Sequence, residues 1–124
     1  MIGLDQMRQI VEKILQELPD EMRLRAAEIT FFIEDWPDQT VLEESGVEDR
    51  SDLLGFYRGI PLPERSQDYA ADLPDSIYLF RRPIVQEAAD ADAQVERVIR
   101  ETAIHEIAHF FGFDDENLEE LGVY

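Results

Sequence analysis

An α+β fold is predicted for this chain of 124 residues by two hydrophobic periods and one kind of punctuation. Near both ends apolar residues recur every three or four positions, the spacing of a helix face. Between the ends, short runs rich in β-branched and aromatic residues are closed by proline or glycine, the signature of strands. The length suits a single domain, residues 1–124, that buries about two thirds of its unfolded surface around one core.

The first element is a helix from Leu4 to Leu18. Leu4, Met7, Val11, Ile14, Leu15 and Leu18 form one stripe, polar residues separate them, and Pro19 stops the run. A short acidic linkage leads to "EITFFIE", read as a central strand over Glu28–Glu34 and bounded by Pro37. Asp38–Asp52 carries no clear period and reads as an acidic surface loop. In "LLGFYRGIPLPERS", Phe56 and Tyr57 suggest a short strand among glycines and prolines. Ser76–Phe80 is the next strand; Pro83 beyond it suits an edge position, because proline donates nothing to a ladder. The last long element is a helix over Asp92–Phe111, with Asp92 as its N-cap and Gly112 where a left-handed end would fall. "ENLEEL", Glu116–Leu121, reads as a short closing helix.

Composition narrows the function classes. The formal charge is −18, from 29 acidic against 11 basic residues, and Lys13 is the single lysine. Nucleic acid is excluded as a partner, because affinity for phosphate backbones comes from clustered Lys and Arg. The acidity suits a well-solvated surface, with attraction for cationic peptides as the sharper alternative. No apolar run approaches a bilayer span, so no membrane partner is expected. The start "MIGLDQMRQIVEK" lacks the basic, apolar and small-residue segments of a signal peptide, and the chain has no cysteine. Both features lead us to expect a cytoplasmic protein with neither disulfides nor a thiolate site.

The chemistry concentrates in "TAIHEIAHFFGFDD", Thr102–Asp115, which holds both histidines of the chain. Two histidines dropped at random on a chain of this length fall four apart about 1.6% of the time, and a glutamate directly after the first lowers this to about 0.2%, so the pattern outranks most short motifs. At 100° per residue His105 and His109 stack one turn apart on a helix and can reach one ion. The surrounding Ala103, Ile104, Ile107, Ala108, Phe110 and Phe111 make this half of the helix a buried one. Two imidazoles and a carboxylate there would cost several kcal/mol without partners, of the order of a small domain's whole stability. A divalent cation supplies the partner: neutral imidazoles suit zinc, and Glu106 beside them can act as a base. The simpler alternatives are a pair of core histidines hydrogen-bonded to Glu or backbone and, for Glu106, an ion pair with Arg100 or another arginine.

Catalytic zinc usually has a third protein ligand. Gly112 can turn the chain back over the helix end, and Asp115 could then meet the ion; the same aspartate could instead cap the helix at Glu116. Asp114 and Glu119 are further candidates. Tyr57 and Tyr78 are candidate oxyanion donors, and Arg58 and Arg65 candidate anchors for a substrate carboxylate, although packing and surface ion pairing explain all four.

Three stretches together resemble the small bacterial zincin-like metallopeptidases, a family with a minimal zincin fold. "LLGFYRGIPLPERS" is similar to that family's Leu-Leu-Gly, aromatic, Gly and Pro-Leu pattern; "LPDSIYLFRRPI" is similar to its next strand; "HEIAHFFGFDDENLEELG" matches its terminal His-Glu-x-x-His-x-x-Gly-x-x-Asp motif. The resemblance implies an α+β zincin-like domain whose small mixed sheet packs against the N-terminal helix and the motif helix. It also implies a zinc-dependent hydrolase of peptide bonds, with one zinc per chain, His105, His109 and Asp115 as ligands, and Glu106 as general base. A peptide or protein substrate could then add as a strand along residues 76–80. All three methionines precede the motif, so no methionine turn underlies the metal. With nine residues after Asp115, a shallow or borrowed cleft is expected. The alternative is a metal-binding interaction or regulatory module of the same fold that turns nothing over.

Overall fold

A computed structural model describes residues 1–64, 75–89 and 92–113, with 92 and 93 as backbone alone. Among these residues the chain runs α1 (Leu4–Glu17), α2 (Asp20–Ala26), β1 (Thr30–Glu34), α3 (Gln39–Ser45), β2 (Gly55–Arg58), β3 (Ser76–Phe80), α4 (Arg81–Glu87) and α5 (Asp92–Phe110), with short 3-10 turns at Arg50–Asp52 and Leu62–Glu64. The class is α+β, as expected.

The three strands form a mixed sheet in the order β1-β3-β2. β3 is parallel to β1, with Phe32 opposite Tyr78, and antiparallel to β2, with Phe56 opposite the same Tyr78. This reverses the expected order: Thr30–Glu34 lies at a margin and Ser76–Phe80 is central. The proline argument fails because Pro83 is not in the strand. It stands in the first turn of α4, where the missing N–H would have had no helical partner. Both edges of β3 are paired, so the strand addition expected along 76–80 finds no free ladder edge there.

Strand alternation sorts the two faces. Ile77 and Leu79 are fully buried against the helices, in one cluster with Met7, Val11 and Ile14 of α1 and Ile99, Ala103 and Phe110 of α5. On the other face Phe32 stacks on Tyr78 at 4.9 Å, and Tyr78 on Phe80. α3 covers much of this second face with Val41 and Leu42. Arg58 ties the two together: it donates to both carboxylate oxygens of Glu44 and to the Tyr78 hydroxyl.

α3 corrects the expectation of a loop over Asp38–Asp52. Asp38 caps it by accepting from the Val41 N–H at 2.9 Å, and Gly46 ends it in the left-handed region. α2 and α4, of seven residues each, are further helices that no sequence period announces. The strand expected over Glu28–Glu34 begins at Thr30, because residues 27–29 complete the turn out of α2. The expected helix at Glu116–Leu121 lies outside the described residues, as does Asp115.

Candidate metal centre

α5 is anchored by burial on one side and closed by a defined turn. Val95, Val98, Ile99, Ala103, Ile107 and Phe110 enter the core at helical spacing. At its end the Gly112 N–H donates to the His109 carbonyl and the Phe113 N–H to the Ala108 carbonyl, the paired bonds of a Schellman ending with glycine at positive φ. The left-handed end expected at Gly112 is present, with φ 93°.

On the last turns of this helix His105, Glu106 and His109 bring their ligand atoms within 4.8 Å of one another. The two imidazole rings lie 4.5 Å apart between centroids, nearly perpendicular. Glu106 is 8% exposed, whereas both histidines are half-buried. The trio thus sits at the boundary of the core, with its carboxylate inside and its imidazoles reaching out. His109 Nδ1 is 3.3 Å from Glu106 Oε1. An ionised carboxylate only accepts, so as a hydrogen bond this contact requires the proton on Nδ1, which in a neutral ring puts the lone pair at Nε2. That is the tautomer a metal-binding imidazole needs, oriented by a carboxylate as metal-bound histidines usually are. The residues present therefore fit a divalent cation.

Arg100, named as an alternative partner for Glu106, is engaged elsewhere. Arg100 faces α1 and donates to Glu17 at 2.8 Å, with Glu96 nearby at 3.9 Å. This pairing holds the Glu17 carboxyl below its ordinary range and raises the Arg100 guanidinium.

β2 approaches the trio closely. A Cβ built on Gly55 would lie 2.7 Å from Thr102 Cγ2 and 3.3 Å from Glu106 Cγ, so only a residue without a side chain lets the strand lie flat on the helix here. Two cavities flank the trio. The first, of about 420 Å³, lies between Gly55 and α5 and has His105 and Glu106 in its wall. The second, of about 360 Å³, is bordered by His109, Tyr57 and Gly112. Sequence reasoning missed the first. It is built from residues 52–55, Glu87 and α5, and no local pattern links them.

The two tyrosines proposed from sequence part company. Tyr57 is on the face of the sheet toward α5 and packs edge-on against Phe110. Tyr78 is on the opposite face, bonded to Arg58, and Arg58 itself is engaged with Glu44. Neither Tyr78 nor Arg58 belongs to the site. Arg65, Asp114, Asp115 and Glu119 lie outside the described residues.

Among known families, the one described as zincin-like metallopeptidase matches residues 26–123, most of the chain. No curated protein matches the chain. Among the described residues no helix is long and apolar enough to cross a membrane.

Proposed function

Because the chain belongs to the zincin-like metallopeptidase family, we propose that it is a zinc-dependent hydrolase of an amide bond in a peptide or protein, holding one zinc per chain through His105, His109 and Asp115, with Glu106 as general base. One observation carries the reading: two imidazoles and a carboxylate converge within 4.8 Å at the end of a helix that the family's motif occupies. Zinc, when bound, supplies a Lewis acid that brings the pKa of a water to about 7.

The chain's own residues do the rest. With Nδ1 donating to Glu106, the His109 ring has its lone pair at Nε2, the atom that would hold the ion. Glu106 Oε1 is engaged in that contact, and Oε2 has no hydrogen-bond partner among the described residues. Oε2 is the atom that takes the proton of the attacking water and later passes it to the leaving amine.

An extended peptide fits the outer edge of β2 better than the central strand. β2 pairs with β3 on one side and has no ladder partner on the other among the described residues. It starts at the first cavity and ends at the second, so a peptide paired to it passes the trio on the way.

Metal analysis and cleavage assays test this together. We expect about one zinc per purified chain, loss of zinc in His105→Ala, and retention of zinc without cleavage of a peptide library in Glu106→Gln. The Glu106 to His109 contact also favours a second reading, a metal-binding module, because a carboxylate that orients a ligand is useful without turnover. Stoichiometric zinc with no cleavage by the native protein decides for that module. No metal under chelator-free conditions would leave only a pair of boundary histidines.

A further inference from the structure

We propose that the cavity beside Glu106 is a side-chain pocket that selects a lysine or arginine next to the bond being cleaved. The assignment rests on the peptidase reading, and it adds the chemistry of the substrate.

Three observations carry it. First, the cavity is real space at the right place: about 420 Å³, within the range of ligand pockets, with His105 and Glu106 in its wall. Gly55, packed against Thr102 and Glu106 at one side of it, places the start of β2 in its wall. Second, the cavity adjoins the carboxylate proposed as the base, so a side chain held in it lies next to the bond being cleaved.

Third, the lining has the two-part chemistry of a long basic side chain. Leu53 and Val98 are buried apolar residues that offer a surface for a methylene stem. At the rim stand Asp52, Glu87 and Glu101, from three separate elements, against one guanidinium, Arg97. Arg97 lies 3.9 Å from Glu101 and so offsets one of the three carboxylates. Lysine and arginine bury their stems along apolar surface while the charged head stays wet and paired. An acidic substrate side chain would meet like charge here, in a chain already at −18.

The test uses full-length Glu106→Gln loaded with zinc, so that binding is read without turnover. The probes are short peptides identical except at one position, which carries Lys, Arg, norleucine or Glu. Titration by fluorescence anisotropy should give Lys and Arg peptides roughly tenfold tighter binding than norleucine, the lower end for a hydrogen bond between charged groups. The Glu peptide should bind weakest. Asp52→Asn combined with Glu87→Gln should remove most of that preference, whereas Glu12→Gln, remote on α1, should keep it. Equal binding of Lys and norleucine peptides overturns the proposal. So does a preference that survives the double substitution, which would trace it to overall charge. If native protein cleaves nothing while the preference and its loss are observed, the peptidase reading fails and the pocket stands. Cleavage without any basic preference sinks the pocket alone.

Discussion

Gly112→Ala separates two reasons for glycine at the end of α5. The first is conformational: φ is 93°, and a Cβ in the left-handed region costs about 1 kcal/mol. The second is steric: a Cβ at Gly112 would lie 2.5 Å from Pro63 Cγ and 2.7 Å from Pro63 Cδ. Proline's ring cannot swing away, so the helix end or the Leu62–Glu64 turn must shift, at about 2 kcal/mol, in the middle of the range for overpacking. Gly46 supplies the control. It ends α3 at φ 75°, with nothing within 4 Å of an added methyl, so Gly46→Ala meets the conformational cost only. We therefore expect Gly112→Ala to be destabilised by about 3 kcal/mol and Gly46→Ala by about 1. Thermal unfolding by circular dichroism should show the difference as about 8 °C, taking about 4 °C per kcal/mol for a domain of this size. Pro63→Ala should recover most of the extra loss in Gly112→Ala. Equal melting points for the two glycine variants would refute the packing argument.

Other outcomes follow from the same contacts. Phe110→Ala, at a fully buried position edge-on to Tyr57, should lose about 3–5 kcal/mol in urea unfolding. Gly55→Ala should press on Thr102 and on the Glu106 methylene, and zinc affinity should change less than cleavage rate; Thr102→Ala in the same chain should restore part of that rate. The Arg81 guanidinium, bonded to Asp35 at 2.6 Å, holds that carboxyl below its ordinary value of 3.8. A depressed folded pKa stabilises above the unfolded value and is lost as pH falls through the folded one. The unfolding curves of native protein and Asp35→Asn should thus differ at neutral pH and converge in acid below the ordinary carboxylate range.

The trio of His105, Glu106 and His109 is legible in the sequence because it needs no tertiary information. One helix, whose period the sequence displays, carries all three residues, and spacing by four suffices to stack His105 on His109. α1, β1 and β3 are legible for the same reason: each has enough apolar positions to establish a period. α2, α3 and α4 have seven residues each, about two turns, and two turns provide too few points. Their signals are caps instead: Asp38 before α3, Gly46 after it, and Pro83 in the first turn of α4. On sequence alone Pro83 suits a strand stop as well as a helix start, and taking it for the former also puts β3 at the margin. Strand order depends on partners far apart in sequence, and the hydrophobic run of β3 suits a central strand as well as a margin. The cavity beside Glu106 is illegible because Asp52, Glu87 and Glu101 come from separate elements.

The close approach of β2 to α5 divides the positioning of the site between two elements. His105 and His109 are set by the helix, since their spacing and common face follow from its turn. Glu106 is set by the sheet as well. Its Cγ lies over Gly55, whose strand is fixed to β3 by the Phe56 and Tyr57 pairings and by the Phe80 N–H donating to the Leu54 carbonyl. A carboxylate on a free helix face samples several rotamers; here the strand backbone closes off one side and the contact with His109 fixes the other. The geometry of the proposed ligands is thus set by local structure, and that of the proposed base by tertiary packing. Perturbations of β2 docking should therefore damage proton transfer before they damage metal binding, and substitutions that fray the end of α5 should do the reverse.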